Sequence, residues 1–223
     1  MANEHTAPSD RATVRRGANR AEYDPAEVRA ILRDGIVAHV GVMTKHGPIV
    51  LPMAYGVRDD ELLVHGSVAN AMLRAGRDLD VCVTVTIVDG LVVARTPFHN
   101  SMNYRSVVVR GTATAITEPA DKLAALKVIN DHIAPIWDTA RPPTETDVKL
   151  TLVLRLSLDE AVAKVRGEDP IDEDDDLDGP HWAGLVPLTA TWGDPTTAAD
   201  LRVDADVPAA VAALAGTDAH RSG

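Results

Sequence analysis

Between two apolar stretches, the segment FHNSMNYR packs His99, Asn100, Ser101, Asn103, Tyr104 and Arg105 into a few residues. The flanks, LVVARTP before and SVVVRG after, are β-branched, so the cluster joins two expected strands. A hairpin needs no such inventory, because Asn-Gly or Asp-Gly turns a chain by itself. Imidazole, amide, hydroxyl, phenol and guanidinium groups this close together suit a polar, anionic ligand held against a sheet. A polar surface loop has the same composition, and the local sequence leaves both readings open. For Arg105 the two readings are a bidentate hold on a phosphate and an ion pair with one of the many carboxylates. His99 is open in the same way, between a proton donor near a substrate and an ordinary loop residue.

A second constellation is His65-Gly66-Ser67, where a strand is expected to give way to a helix. Backbone N–H groups at a helix start attract anions, and Gly66 would let a ligand approach the backbone. Ser67 as a plain N-cap explains the same residues. A third is Pro52, inside the expected strand 49–57. Proline there means an edge, a bulge or a bend, and frees backbone groups of Leu51, Met53 and Ala54 for a planar ligand with hydrogen-bonding edges. His39, His46 and His132 read as structural or exposed. No CxxC or HExxH spacing occurs, and the acidic run 172–178 lacks the glycine and glutamate of a calcium loop, so no metal site is expected.

The elements that must position these residues follow from local signals. Asp24-Pro25-Ala26-Glu27 opens a helix, with Asp24 as N-cap, Pro25 at its first position and Glu27 completing a capping box; Gly35 ends it. Strands are expected over 36–44, 49–57 and 61–65, then a short helix over 67–74. Strands follow over 81–88 and 91–96, with a turn at Asp89-Gly90, and over 104–117. Pro119 starts a second helix to about Ile133, with Leu123, Leu126, Ile129 and Ile133 at helical spacing, and a last strand pair covers 151–156 and 161–165. Short strands with many hairpins predict a mostly antiparallel sheet closed as a barrel. No GxGxxG follows a strand, so a Rossmann fold is excluded. The division expected is a flexible arm over 1–20, one domain over 21–192, and a weakly structured acidic and Ala-rich tail over 193–223.

Composition bounds the partners. With 33 acidic and 22 basic residues the net charge is -11, which disfavours binding to nucleic-acid phosphates. At 45% hydrophobic, the 223 residues can bury a substantial core. No apolar run nears the ~20 residues needed to span a bilayer, and the first 20 residues carry no signal core. Cys82 is the single cysteine, in the apolar run VCVTVTIV, and reads as a buried residue in a reducing compartment. A cytoplasmic protein without membrane or nucleic-acid partners is expected.

The segments GVMTKHGPIVLPMAYG, ELLVHGSVANAMLRA, VCVTVTIVDGLVVARTPFHNSMNYRSVVVRG, AVAKVRGEDP and WAGLVPL together resemble the pyridoxamine 5′-phosphate oxidase-related flavoproteins, on the branch that includes the nitroimidazole-resistance proteins. FHNSMNYRSVVV is the most specific of them, and the likeness spans about residues 20–190. It implies a six-stranded antiparallel Greek-key split β-barrel of the FMN-binding type, forming homodimers with two FMN at the interface. By position, Leu51, Pro52, Met53 and Ala54 would lie along the isoalloxazine. His65, Gly66, Ser67 and Asn70 would approach the flavin edge, ribityl chain and phosphate. Ser101, Asn103 and Tyr104 would add cofactor contacts, and Arg105 and Ser106 match an Arg-Gln pair that reaches the cofactor from the partner subunit.

Two departures separate the chain from the oxidases proper. Ala71 and Met72 stand where those enzymes carry basic residues, and WAGLVPLTATWGD with an acidic tail replaces their Arg-rich end. The resemblance therefore implies an FMN-dependent oxidoreductase acting on a small-molecule substrate or electron donor, other than pyridoxamine phosphate oxidation. The deazaflavin F420 is an alternative cofactor. A flavin- or haem-binding protein that senses or stores without turnover is an alternative function.

Overall fold

In a computed structural model, residues 6–70 and 78–220 are described. Eleven strands run in order: β1 (Ala21–Glu22), β2 (Ala38–Thr44), β3 (Gly47–Met53), β4 (Tyr55–Arg58), β5 (Glu61–Ser67), β6 (Asp80–Val93), β7 (Ser101–Thr112), β8 (Thr114–Ala115), β9 (Thr151–Ser157), β10 (Ala161–Arg166) and β11 (Gly184–Pro187). Among the described residues the two longest helices support them, α1 (Pro25–Asp34) and α2 (Pro119–Asn130). The larger sheet has the order β1-β10-β7-β6-β2-β3, with β11 also on β6; the smaller is β4-β5-β9-β8. Every pairing is antiparallel. This is the mostly β split barrel that the sequence implied.

The two sheets close on one apolar core. Val40, Val83, Val85, Val107 and Val109 of the larger sheet face Leu62, Val64, Leu154 and Leu156 of the smaller, and Val28, Ile31 and Leu32 of α1 plug the space between. A second, smaller cluster lies on the far side of β5, where Leu63, Val153 and Ile116 meet Ala125 and Ile129 of α2. Strand β5 is therefore buried on both faces, which explains its run of ELLV in place of an alternating pattern. Tyr55 locks α1 to the barrel. Its hydroxyl lies 2.5 Å from the Leu32 carbonyl and 2.8 Å from that of Gly35, sharing one proton between two helix-end acceptors.

Helix α1 begins as expected, with Asp24 accepting from the Ala26 N–H at 2.8 Å. The reciprocal bond comes from upstream, where the Glu22 carboxylate accepts from the Asp24 N–H at 2.8 Å, in place of the Glu27 expected. Gly35 ends the helix in an extended conformation; a Cβ there would lie 2.2 Å from Val85 Cγ1.

Several expectations are corrected. The strand expected over 49–57 breaks at Ala54, where the chain passes from the larger sheet to the smaller. Pro52 sits on β3, an edge strand, where its missing N–H costs no ladder bond. Asp89-Gly90 does not turn the chain. Strand β6 runs on through it with a register shift between Val88 and Gly90. The first half of β6 pairs with β2, the second with β11 along the same edge, and a Cβ on Gly90 would lie 2.8 Å from the Val186 carbonyl oxygen. The helix expected over 67–74 falls mostly outside the described residues; within them, Ser67 Oγ accepts from the Ala69 N–H at 3.1 Å.

The segment expected as a flexible arm lies along the barrel from Thr6 onward. Ala12 is buried, Arg11 pairs with Glu160 and with Asp80, and Lys164 donates to the Arg16 carbonyl at 2.9 Å. The tail folds back as well. Thr191 bridges to Asp218, and a helical turn at Ala209–Ala212 helps to close a cavity of about 370 Å³ over Ile36, His132 and Trp192.

Candidate functional site

The candidate residues fall into two groups. Leu51, Pro52 and Met53 lie on edge strand β3, which offers a row of backbone groups to a ligand. Tyr55 of β4 pairs with Val64 of β5, so the break at Ala54 comes one step along from His65. The structure thus brings Ala54 beside His65 at the exit of β5, while residues 51–53 lead away from that point along the edge of the larger sheet. Asn70 follows immediately, its N–H bonded to the Ser67 carbonyl at 2.8 Å. His65 is half-buried. Its Nδ1 is shut off from solvent without a partner, and burial pushes its pKa below the ordinary histidine value.

The second group is the β6–β7 hairpin end, and much of its polarity is spent inside the chain. Asn100 Oδ1 accepts from the Ala94 N–H at 2.8 Å, closing the loop. Asn103 is buried; its amide donates to the Glu168 carbonyl at 3.2 Å and its Oδ1 accepts from the Arg166 guanidinium. Ser106 Oγ donates to the Lys164 carbonyl at 3.2 Å. Arg105 donates to Asp34 at 2.7 Å and to Asp89 at 2.9 Å, and these partners, Asp89 foremost, raise its pKa. Of the two readings its sequence left open, the ion pair is the one the side chain adopts here. Ser101 and Tyr104 remain half-buried at the start of β7.

His99, Arg95 and Asp172 form an arrangement no local pattern announced. Arg95 and Asp172 stand 77 residues apart, and Asp172 sits in the acidic run 172–178, whose composition by itself suits a solvated loop. Its side chain is instead 0% exposed, held by the Arg95 N–H at 2.9 Å and the Arg95 guanidinium at 3.0 Å. Burial pushes the Asp172 carboxyl up, but the bonds from Arg95 outweigh it and hold the group below the usual carboxylate range. His99 Nδ1 faces the same carboxylate at 3.8 Å and is otherwise shut off. Arg166, 3% exposed, is a second residue the sequence reading passed over; it ties Asn103 to the carbonyls of Glu168 and Asp169.

Apolar surface surrounds this hairpin end. Phe98, next to His99, is 94% exposed. Val186, Leu91 and Met102 are in register across β11, β6 and β7, forming an exposed row on one face. Among the described residues no group of histidine, cysteine and carboxylate side chains is built to hold a metal ion by itself, and no helix is long and apolar enough to cross a membrane.

Residues 24–165 match the profile of a family described as pyridoxamine 5′-phosphate oxidase. No curated protein matches the chain. Among solved structures, the flavocytochrome Anf3 from Azotobacter vinelandii is 35% identical, with a TM-score of 0.89, over 95% of this chain and 99% of that one. The FAD and haem binding protein from Mycobacterium smegmatis is 30% identical, with a TM-score of 0.85, over 91% of this chain and all of that one. A 5-nitroimidazole antibiotic resistance protein from Bacteroides thetaiotaomicron shares the fold, at 23% identity and a TM-score of 0.54, over 65% of this chain and 86% of that one.

Proposed function

The chain belongs to the pyridoxamine 5′-phosphate oxidase family, and on that premise we propose that it is a cytoplasmic, homodimeric flavin- and haem-binding redox protein. The observation that carries this reading is the end-to-end match, at 35% identity, to a flavocytochrome. The second relative, an FAD and haem binding protein, supports the same pair of cofactors and favours FAD over FMN.

Leu51, Pro52, Met53 and Ala54 on the edge strand, with His65, Gly66, Ser67 and Asn70 at the exit of β5, would hold the isoalloxazine and its chain. A buried Nδ1 without a hydrogen-bond partner occurs at His65, His99 and His220; of these, His65 belongs to the flavin-site candidates and His99 to the polar β6–β7 loop, and an imidazole there fits haem as well as flavin. A bound flavin supplies hydride and single-electron exchange, and a haem iron single-electron exchange. The chain's own part is to seat these groups, exclude water and fix the imidazoles. Electrons would come from a nicotinamide or another small donor.

The test is the absorption spectrum of the purified protein, with the released flavin identified by mass. Flavin bands, a Soret band on haem addition, and bleaching by a physiological reductant are expected. A protein that binds no flavin overturns the proposal. Colour that no physiological reductant bleaches points to binding without turnover, and F420 in place of flavin would show in the same scan.

A further inference from the structure

We infer that His99 is the axial ligand of the haem iron, through Nε2, and that Asp172 is its positioning residue. The inference rests on the haem half of the function proposed above. An imidazole that ligates iron keeps Nε2 open while Nδ1–H points to a fixed acceptor, which sets tautomer, ring orientation and basicity. His99 presents both groups, an open Nε2 and a fixed carboxylate facing Nδ1, with that carboxylate just beyond hydrogen-bond distance in this structure. Its Nδ1 is buried and has no neighbour to donate to except Asp172 Oδ1, at 3.8 Å. The ring is still 31% exposed, and Nε2 has no hydrogen bond among the described residues.

Asp172 is in turn fixed. Its carboxylate is covered on all sides and bonded by the N–H and guanidinium of Arg95, so it cannot swing away into the acidic loop that carries it. Apolar surface lies ready beside the imidazole, in the exposed Phe98 ring and the Leu91–Met102 row. A porphyrin face needs such surface, and a surface proton shuttle does not.

The other histidines fit less well. His65 has no acceptor facing Nδ1. His132 spends Nε2 on the Gly35 carbonyl at 2.7 Å. His220, like His65, has a buried Nδ1 with no acceptor facing it, and His39, His46 and His181 are exposed, with no ion pair among the described residues.

The experiment titrates hemin into the full-length protein with its flavin bound, comparing wild type, His99→Ala, His65→Ala and Asp172→Asn. His99→Ala is expected to lose the ligated Soret spectrum, keep its flavin, and regain the spectrum when imidazole is added. Retained flavin shows that the variant is folded. Asp172→Asn is expected to bind haem still, but with a more positive haem midpoint potential and an unchanged flavin potential. A carboxylate behind the imidazole stabilises ferric iron, and an amide does so less. Ligated haem that survives His99→Ala, or is lost only in His65→Ala, overturns the assignment and leaves the cofactor reading standing. A wild-type protein that binds flavin and takes up no haem overturns the haem reading itself, and the assignment with it.

Discussion

Asp34, the last residue of α1, and Asp89, at the register shift of β6, hold one guanidinium between them: Arg105 lies 2.7 Å from the first and 2.9 Å from the second. The pair joins helix to sheet at the place where the strand ladder is irregular. Removing the guanidinium would take the shared counter-charge from two partly buried carboxylates.

Arg105→Ala should therefore act first on stability. A loss of about 1–2 kcal/mol is expected for charge-assisted bonds at a part-buried site, lowering Tm by roughly 2–8 °C in a chain of this size. Thermal unfolding checks the magnitude. Binding of FMN and of riboflavin should fall by the same factor. A selective loss of FMN would mean that Arg105 leaves its carboxylates to take the phosphate.

Tyr55→Phe should destabilise by about 1–2 kcal/mol, because the carbonyls of Leu32 and Gly35 lose their shared donor in a buried place. Urea midpoints of the two proteins measure it. Equal midpoints would show that water replaces the hydroxyl.

Stability should fall as pH drops below about 6.5. Burial holds His65 and His132 below their ordinary value of 6.5, so each is neutral in the folded protein where the unfolded chain would already bind a proton. Between the unfolded and folded pKa the unfolded state gains protons, and folding loses free energy as pH falls. Denaturant midpoints at pH 7.5 and 5.5 should differ, and His132→Gln should shrink the difference. A carboxylate such as Asp172, whose folded pKa is lowered, loses its contribution only in a more acidic window, as pH falls below the ordinary carboxylate range.

Truncation after Gly193 should lower Tm and leave flavin affinity unchanged. The tail covers Ile36, Ile133 and Trp192, and the flavin-site candidates on β3 and β5 are not among the residues lining that cavity. A cut before His181 should do more harm, because it removes β11 from β6. Flavin titration of both truncations decides. Loss of flavin binding in the longer protein would place the tail in the site.

Helix α1 was legible because its signals are local: Asp24, Pro25 and Gly35 each act within a turn of where they stand. Strand β6 was misread at Asp89-Gly90 for the opposite reason. That dipeptide is a strong hairpin signal, but β11, almost a hundred residues later, supplies the neighbour that keeps the strand straight. The same distance hid Asp172. Five aspartates within the run 172–178 read as solvated, and only the fold shows that one of them meets Arg95 and His99. The site on β3 and β5 was accessible from Pro52 and from His65-Gly66-Ser67, whose types are unusual for their strand positions. Their meeting at Ala54 required the switch between sheets.

Strand β5 belongs to two apolar clusters at once, through Leu62 and Val64 on one face and Leu63 on the other. Neither cluster can open without exposing the other, so the two should unfold as one event, with the β5 amides among the slowest to exchange with deuterium. His65, Gly66 and Ser67 lie at the end of that strand. A cofactor arriving there would meet a wall already at rest, and little of its binding free energy would go into ordering the protein.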